Sequence, residues 1–184
     1  HQACLNKNVT LEIIEYLLGY HPKAASIDHT YTWYKDWKMT KKAYPLHMAC
    51  INETCPDSVI QFLVKANPAA LTEPCHLNQG NLDDGIFYND YSEDLSRDPF
   101  VSGSPLHYYL SRDTNINVEL VRFFVTASPD VLAAADEKSK CTPIHLLSSM
   151  KNMDELFYIM QYIVETNPSC LDLEDNWGRN ALHN

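Results

Sequence analysis

Thr142-Pro143-Ile144-His145 decides the reading of this chain, because the chain keeps returning to it. Tyr44-Pro45-Leu46-His47, Ser104-Pro105-Leu106-His107 and Asn180-Ala181-Leu182-His183 are further copies, and His1 stands as the last residue of another. A second marker follows each of the first four: His21-Pro22, Asn67-Pro68, Ser128-Pro129 and Asn167-Pro168. From marker His to marker Pro the interval is 21, 21, 22 and 23 residues. So constant an interval marks a structural unit, and self-similarity of this kind is the signature of a repeat architecture.

The residues before each Pro say what the unit is made of. At nine, eight, five and four positions back lie Ile13, Ile14, Leu17 and Leu18 in the first unit, and Val59, Ile60, Leu63 and Val64 in the second. The third has Leu120, Val121, Phe124 and Val125, and the fourth Ile159, Met160, Ile163 and Val164. Apolar pairs four apart form one face of a helix with 3.6 residues per turn. Six back is always aromatic: Tyr16, Phe62, Phe123 and Tyr162. The Pro ends the helix, since it disfavours helical geometry in its predecessor. Thr10, Asp57 or Ser58, Asn117 and Asn152 are the expected N-caps, the last with Glu155 as a capping box. The segment after each marker His reads as a shorter helix, and the stretch after each Pro as extended. Leu63, Phe62, Val125 and Ile163 are expected to be buried between units.

On these residues the chain resembles the ankyrin-repeat family. The family's Thr-Pro-Leu-His helix start is matched by the four tetrapeptides above, and its Asp-x-x-Gly turn by Asp175-Asn176-Trp177-Gly178. The resemblance covers essentially the whole chain. The departures are a missing inter-helix Gly, a Pro in place of the usual Gly-Ala helix end, and a turn Gly that survives clearly only at Gly178. What the resemblance implies is an all-α array of helix-turn-helix units with short β-hairpin fingers. The units would run over about 1–43, 44–103, 104–141 and 142–179, with a further one starting at 180–184. It implies a structural role for the marker histidines, each bonding backbone in a neighbouring finger. A segment of a longer protein is expected, with uncovered apolar faces at both ends.

Extra residues fall in one place. From Pro to the next marker His the interval is 16 and 15 residues in the last two links, but 25 after Pro22 and 39 after Pro68. The first insertion, 28–43, is basic and aromatic, with Trp33, Lys35, Trp37, Lys38 and Lys42. The second, 77–100, is acidic and aromatic, with Asp83, Asp84, Tyr88, Asp90 and Tyr91. They offer a partner a bipolar patch anchored by Trp and Tyr, or else neutralise each other.

Other chemistries find little here. A net charge of −10 argues against general affinity for nucleic acid or anionic membrane. No apolar run approaches a membrane span. A zinc set of Cys50, Cys55, Cys75 and His76 lacks a short Cys-x-x-Cys pair. No phosphate loop, nucleophile elbow or carboxylate pair appears. Neither cofactor nor metal is expected, and the six cysteines read as reduced, mostly buried thiols of a cytoplasmic or nuclear protein.

The expected function is therefore protein–protein scaffolding without catalysis, the partner lying along the concave helix and finger surface and the segment itself being monomeric. The alternative is a regulatory or targeting segment of a larger enzyme or channel whose active domain lies outside it. The resemblance places partner contacts at Ile51, Asn52, Ser111, Arg112, Ser149 and Met150, just after the marker histidines, and at Lys138 and Trp177 in the fingers. To these the first insertion adds Trp33, Trp37 and Lys38.

Overall fold

The computed structural model describes residues 1–32, 40–76, 102–112, 116–136, 139–149 and 153–183. They are mostly helical. Four helix pairs follow one another: α1 (Gln2–Leu5) with α2 (Leu11–Tyr20), α3 (Pro45–Ile51) with α4 (Asp57–Ala66), α5 (Pro105–Leu110) with α6 (Val118–Ala127), and α7 (Pro143–Ser148) with α8 (Met153–Thr166). The first helices pack side by side in the order α1, α3, α5, α7, and the second helices in the order α2, α4, α6, α8. The core lies between these two rows.

Local sequence accounts for the ends. Pro45, Pro105 and Pro143 open their helices at N1, where the missing N–H costs nothing and the fixed φ is already helical. Thr10 caps α2 by accepting from the N–H of Ile13, and Asn117 caps α6 by accepting from that of Glu119. At α4 the N-cap is Pro56, not Asp57 or Ser58, and Asp57 is the first helical residue, its carboxylate in the favourable first turn. Asn152 lies outside the described residues.

The stretches after the marker prolines are not extended. Each Pro starts a 3-10 turn: Pro22–Ser26, Pro68–Leu71, Pro129–Leu132 and Pro168–Asp172. The residue ahead of it is the one driven out of helical geometry, with φ of −133° at His21, −148° at Asn67, −155° at Ser128 and −141° at Asn167. The Pro itself, with φ preset, restarts the coil. Helix and turn thus share one breaker.

Two short antiparallel ladders connect the early pairs. β1 (His29–Thr32) pairs with β2 (Thr40–Ala43), His29 opposite Ala43, and β3 (Cys75–His76) pairs with β4 (Ser102–Gly103), Cys75 opposite Gly103. β2 also touches β3, so the bases of the two insertions stand together.

Burial follows position in the row. Val59, Ile60, Leu63 and Val64 of α4, and Leu120, Val121, Phe124 and Val125 of α6, are all buried. In α2 only Ile14 is buried, while Ile13 and Leu17 are 45% and 47% exposed. In α8 Ile159 and Ile163 are buried, and Met160 and Val164 only half so. The positions nine and five before Pro therefore face the preceding pair, and those eight and four before it face the following one. Phe62 is half-buried rather than buried, because six before Pro lies at the rim of that contact.

Candidate interaction surface

The marker histidines knit one pair to the next connection. His107 accepts at Nδ1 from the Ser104 N–H (3.2 Å) and hydroxyl (2.9 Å), and its Nε2–H donates to the carbonyl of Cys141 at 3.1 Å. His145 does the same with Thr142 and with the carbonyl of Arg179 at 3.0 Å. His47 accepts from the Tyr44 N–H and donates to Glu73, and His1 bonds the carbonyl of Ala43 at 2.7 Å. A ring that accepts at Nδ1 and donates at Nε2 is the neutral tautomer. Burial accordingly pulls His47 down to about 4 and lowers His107 as well.

Five residues after the marker His the side chain reaches the other way. Asn52 donates to the carbonyls of Cys4 (2.9 Å) and Asn6 (3.2 Å). Arg112 donates from Nε to Cys50 and from a terminal nitrogen to Ala49, both at 2.7 Å. These carbonyls lie at the C-terminal ends of α1 and α3, where no intrahelical donor remains and a cation is favoured. Arg112 also lies 4.6 Å from the Tyr109 ring centroid, and that ring packs edge-on against Phe124.

This decides where the expected contact residues sit. Ile51, Asn52 and Arg112 are buried, and the two polar ones are committed to the backbone of the preceding pair. Ser111 is half-buried and bonds the carbonyl of Tyr108, whereas Ser149 is exposed. Trp33, Trp37, Lys38, Lys138 and Met150 lie outside the described residues, as do residues 33–39 of the first insertion and all of the second.

Trp177 is exposed, with two-thirds of its surface in solvent (66%). Its backbone is bonded to a neighbouring carboxylate. The Asp175 carboxylate accepts from the N–H groups of Trp177 (2.8 Å) and Arg179 (3.0 Å) and pairs with the Arg179 guanidinium at 2.8 Å. Burial works to raise the Asp175 pKa, but these bonds and the Arg179 charge hold it below the usual range. Arg179 lies 4.9 Å from the Trp177 ring centroid, and Gly178 takes φ of +69°. One connection earlier, Asp136 accepts from the Ser139 and Cys141 N–H groups and the Ser139 hydroxyl, and Lys140 holds φ of +60°. The Asn176 N–H donates to the carbonyl of Ser139 at 2.8 Å, joining the two turns.

On the opposite edge, Glu53, Cys55, Pro56, Asp57, Arg112, Ile116 and Asn117 line an open cleft of about 430 Å³. Nothing in the sequence marks it, because its walls come from two inter-helix connections. None of the six cysteines is in a disulfide, and burial raises Cys4, Cys50 and Cys55, the last to about 12, which suits packing groups. Among the described residues no group of three or more His, Cys, Asp or Glu could hold a metal, and no helix is long and apolar enough to cross a membrane. The chain matches no protein-family model, no curated protein and no solved structure.

Proposed function

We propose that this chain is a divergent ankyrin-type solenoid that serves as a protein-interaction scaffold rather than an enzyme. What supports the ankyrin reading is the marker histidine, repeated at the start of each first helix and bonded across to the next connection. The partner lies along the connection tips and the exposed ends of the first helices, with Trp177 and Ser149 among its contacts. The medium is the reducing one of the cytoplasm or nucleus, where thiols stay free.

One observation carries the binding reading: an exposed Trp ring on a backbone pinned by Asp175 and braced by Arg179. A large aromatic side chain held rigid in solvent gives a partner contact area at little entropic cost. The test is proximity labelling in cells with the wild-type chain and with Trp177→Ala. Since the ring is mostly in solvent, the variant should keep its thermal midpoint within about 2 °C. It should lose a defined subset of neighbours. An identical set of neighbours would remove Trp177 and its turn from the binding surface.

A further inference from the structure

Donors that the fold leaves over meet in the open cleft between the inter-helix connections of the second and third pairs. Arg112, only 6% exposed, lines it. Nε and one terminal nitrogen of its guanidinium serve the carbonyls of Cys50 and Ala49, and the Tyr109 ring lies against its face. The other terminal nitrogen, Nη1, has no acceptor among the described residues. The ten-residue α4 begins in the same cleft, which Pro56 and Asp57 help to line. Pro56 is its N-cap and has no side-chain oxygen to offer. The N–H groups of Asp57 and Ser58 also lack an acceptor among the described residues.

These two observations are independent and point to one kind of ligand. A helix start favours negative charge and bonds it through its first N–H groups. A buried guanidinium with N–H groups left over favours a planar anion that accepts at two oxygens. A carboxylate fits both, with one oxygen on Nη1 and the other on the N–H groups of α4. The rest of the lining says what must accompany it. The Asp57 carboxylate is held by the Asn117 amide, Nδ2 to Oδ2 at 2.8 Å, and Glu53 is exposed. Two carboxylates against one guanidinium leave the cleft with negative charge in excess. A phosphate or a nucleic acid brings only more of that charge, whereas a carboxylate arriving with its own cation meets Glu53 favourably. The cleft is also open, where a small-molecule site would enclose most of its ligand.

We infer that this cleft docks a short segment of a partner protein in which an Asp or Glu adjoins a Lys or Arg. Arg112 and the start of α4 bind the carboxylate, and Glu53 binds the cation. The site shares no residue with the Trp177 turn.

The probes are acetyl-Gly-Asp-Lys-Gly-amide, its Asn-Lys and Asp-Gln counterparts, and acetate, each titrated into the isotope-labelled chain and read by amide NMR. With the Asp-Lys peptide the Asp57 and Ser58 amide protons should move downfield along one saturating curve, with a Kd on the order of 1–10 mM. The Asn-Lys peptide should bind about tenfold more weakly, and the Asp-Gln peptide and acetate about threefold. Glu53→Gln, at an exposed position, should abolish the preference for Lys over Gln and keep that for Asp over Asn, a split that altered folding cannot produce. Arg112→Lys should weaken the Asp-Lys peptide about tenfold, and Trp177→Ala should leave it unchanged. No saturating shift at the two amides, equal binding of the Asn-Lys peptide, or acetate as tight as the Asp-Lys peptide would overturn the inference. So would sedimentation showing dimers of the chain that Glu53→Lys abolishes, since the occupant would then be a second copy.

Discussion

A buried imidazole that accepts at Nδ1 cannot take a proton there without setting donor against donor. In the unfolded chain His47 binds a proton near 6.5, and in the folded chain only near 4. Between those values the unfolded state holds more protons, so stability is full above about 6.5 and falls as pH drops towards 4. The loss from His47 alone is on the order of 3 kcal/mol. Denaturant unfolding at pH 7, 5.5 and 4.5 should show this decline, and His47→Asn, weaker at pH 7, should show a shallower one. Lys140 holds φ of +60° where the neighbouring turn has Gly178 at +69°. Relieving a side chain of left-handed geometry is worth about 1 kcal/mol, so Lys140→Gly should raise the thermal midpoint by a few degrees. Arg112→Ala strips two buried carbonyls of a charged donor and should cost about 2–4 kcal/mol in denaturant unfolding. That residue marks the limit of what sequence can say at this scale. The marker His announces its own role by recurring, whereas a polar residue at a helix end reads alike whether water or a neighbouring carbonyl receives it. Asn52 and Arg112 therefore read as surface and fold as interior.

Among the elements, equivalent positions have unequal worth. Leu63 is buried between α4 and its neighbours, and Leu63→Ala should cost roughly 2–5 kcal/mol in denaturant unfolding. Leu17, five before Pro in the first pair as Leu63 is in the second, is half in solvent, and Leu17→Ala should cost less than about 1 kcal/mol. Equal losses would show that this side of α2 is already covered. Periodicity reveals the second helix of each pair, the marker His the shorter first one, and the marker prolines where the second stops. None of them tells a covered face from an open one, because that depends on which helix lies alongside. The stretches after the prolines read as extended and fold as turns for a related reason. Pro constrains the residue before it, and nothing in that constraint forbids a fresh turn from starting at the Pro itself.

For the whole molecule, the main packing runs from each helix pair to the next, so stability is a sum of unit and neighbour terms. Pairs covered on both sides should open last. Hydrogen exchange in α4 and α6 should accordingly be slower than in α2, and uniform protection across the row would contradict this neighbour-by-neighbour account. The order of units was legible from the spacing of His and Pro. The cleft between connections was not, since its residues meet only through stacking. One bond has a consequence for how this chain can vary. The rings of His1, His107 and His145 each bond the residue four before the next marker His, but His47 bonds Glu73, ahead of the long insertion instead of beyond it. Cys75 and His76 then pair with Gly103 and Ser102, holding the residues that flank 77–101 opposite each other at the last rung of one ladder. Among the described residues, α3 on α5, α4 on α6 and this ladder lock the second pair to the third. That makes 76/102 a natural splice point, where evolution or an engineer can lengthen, shorten or replace a whole segment and leave the frame on either side in register.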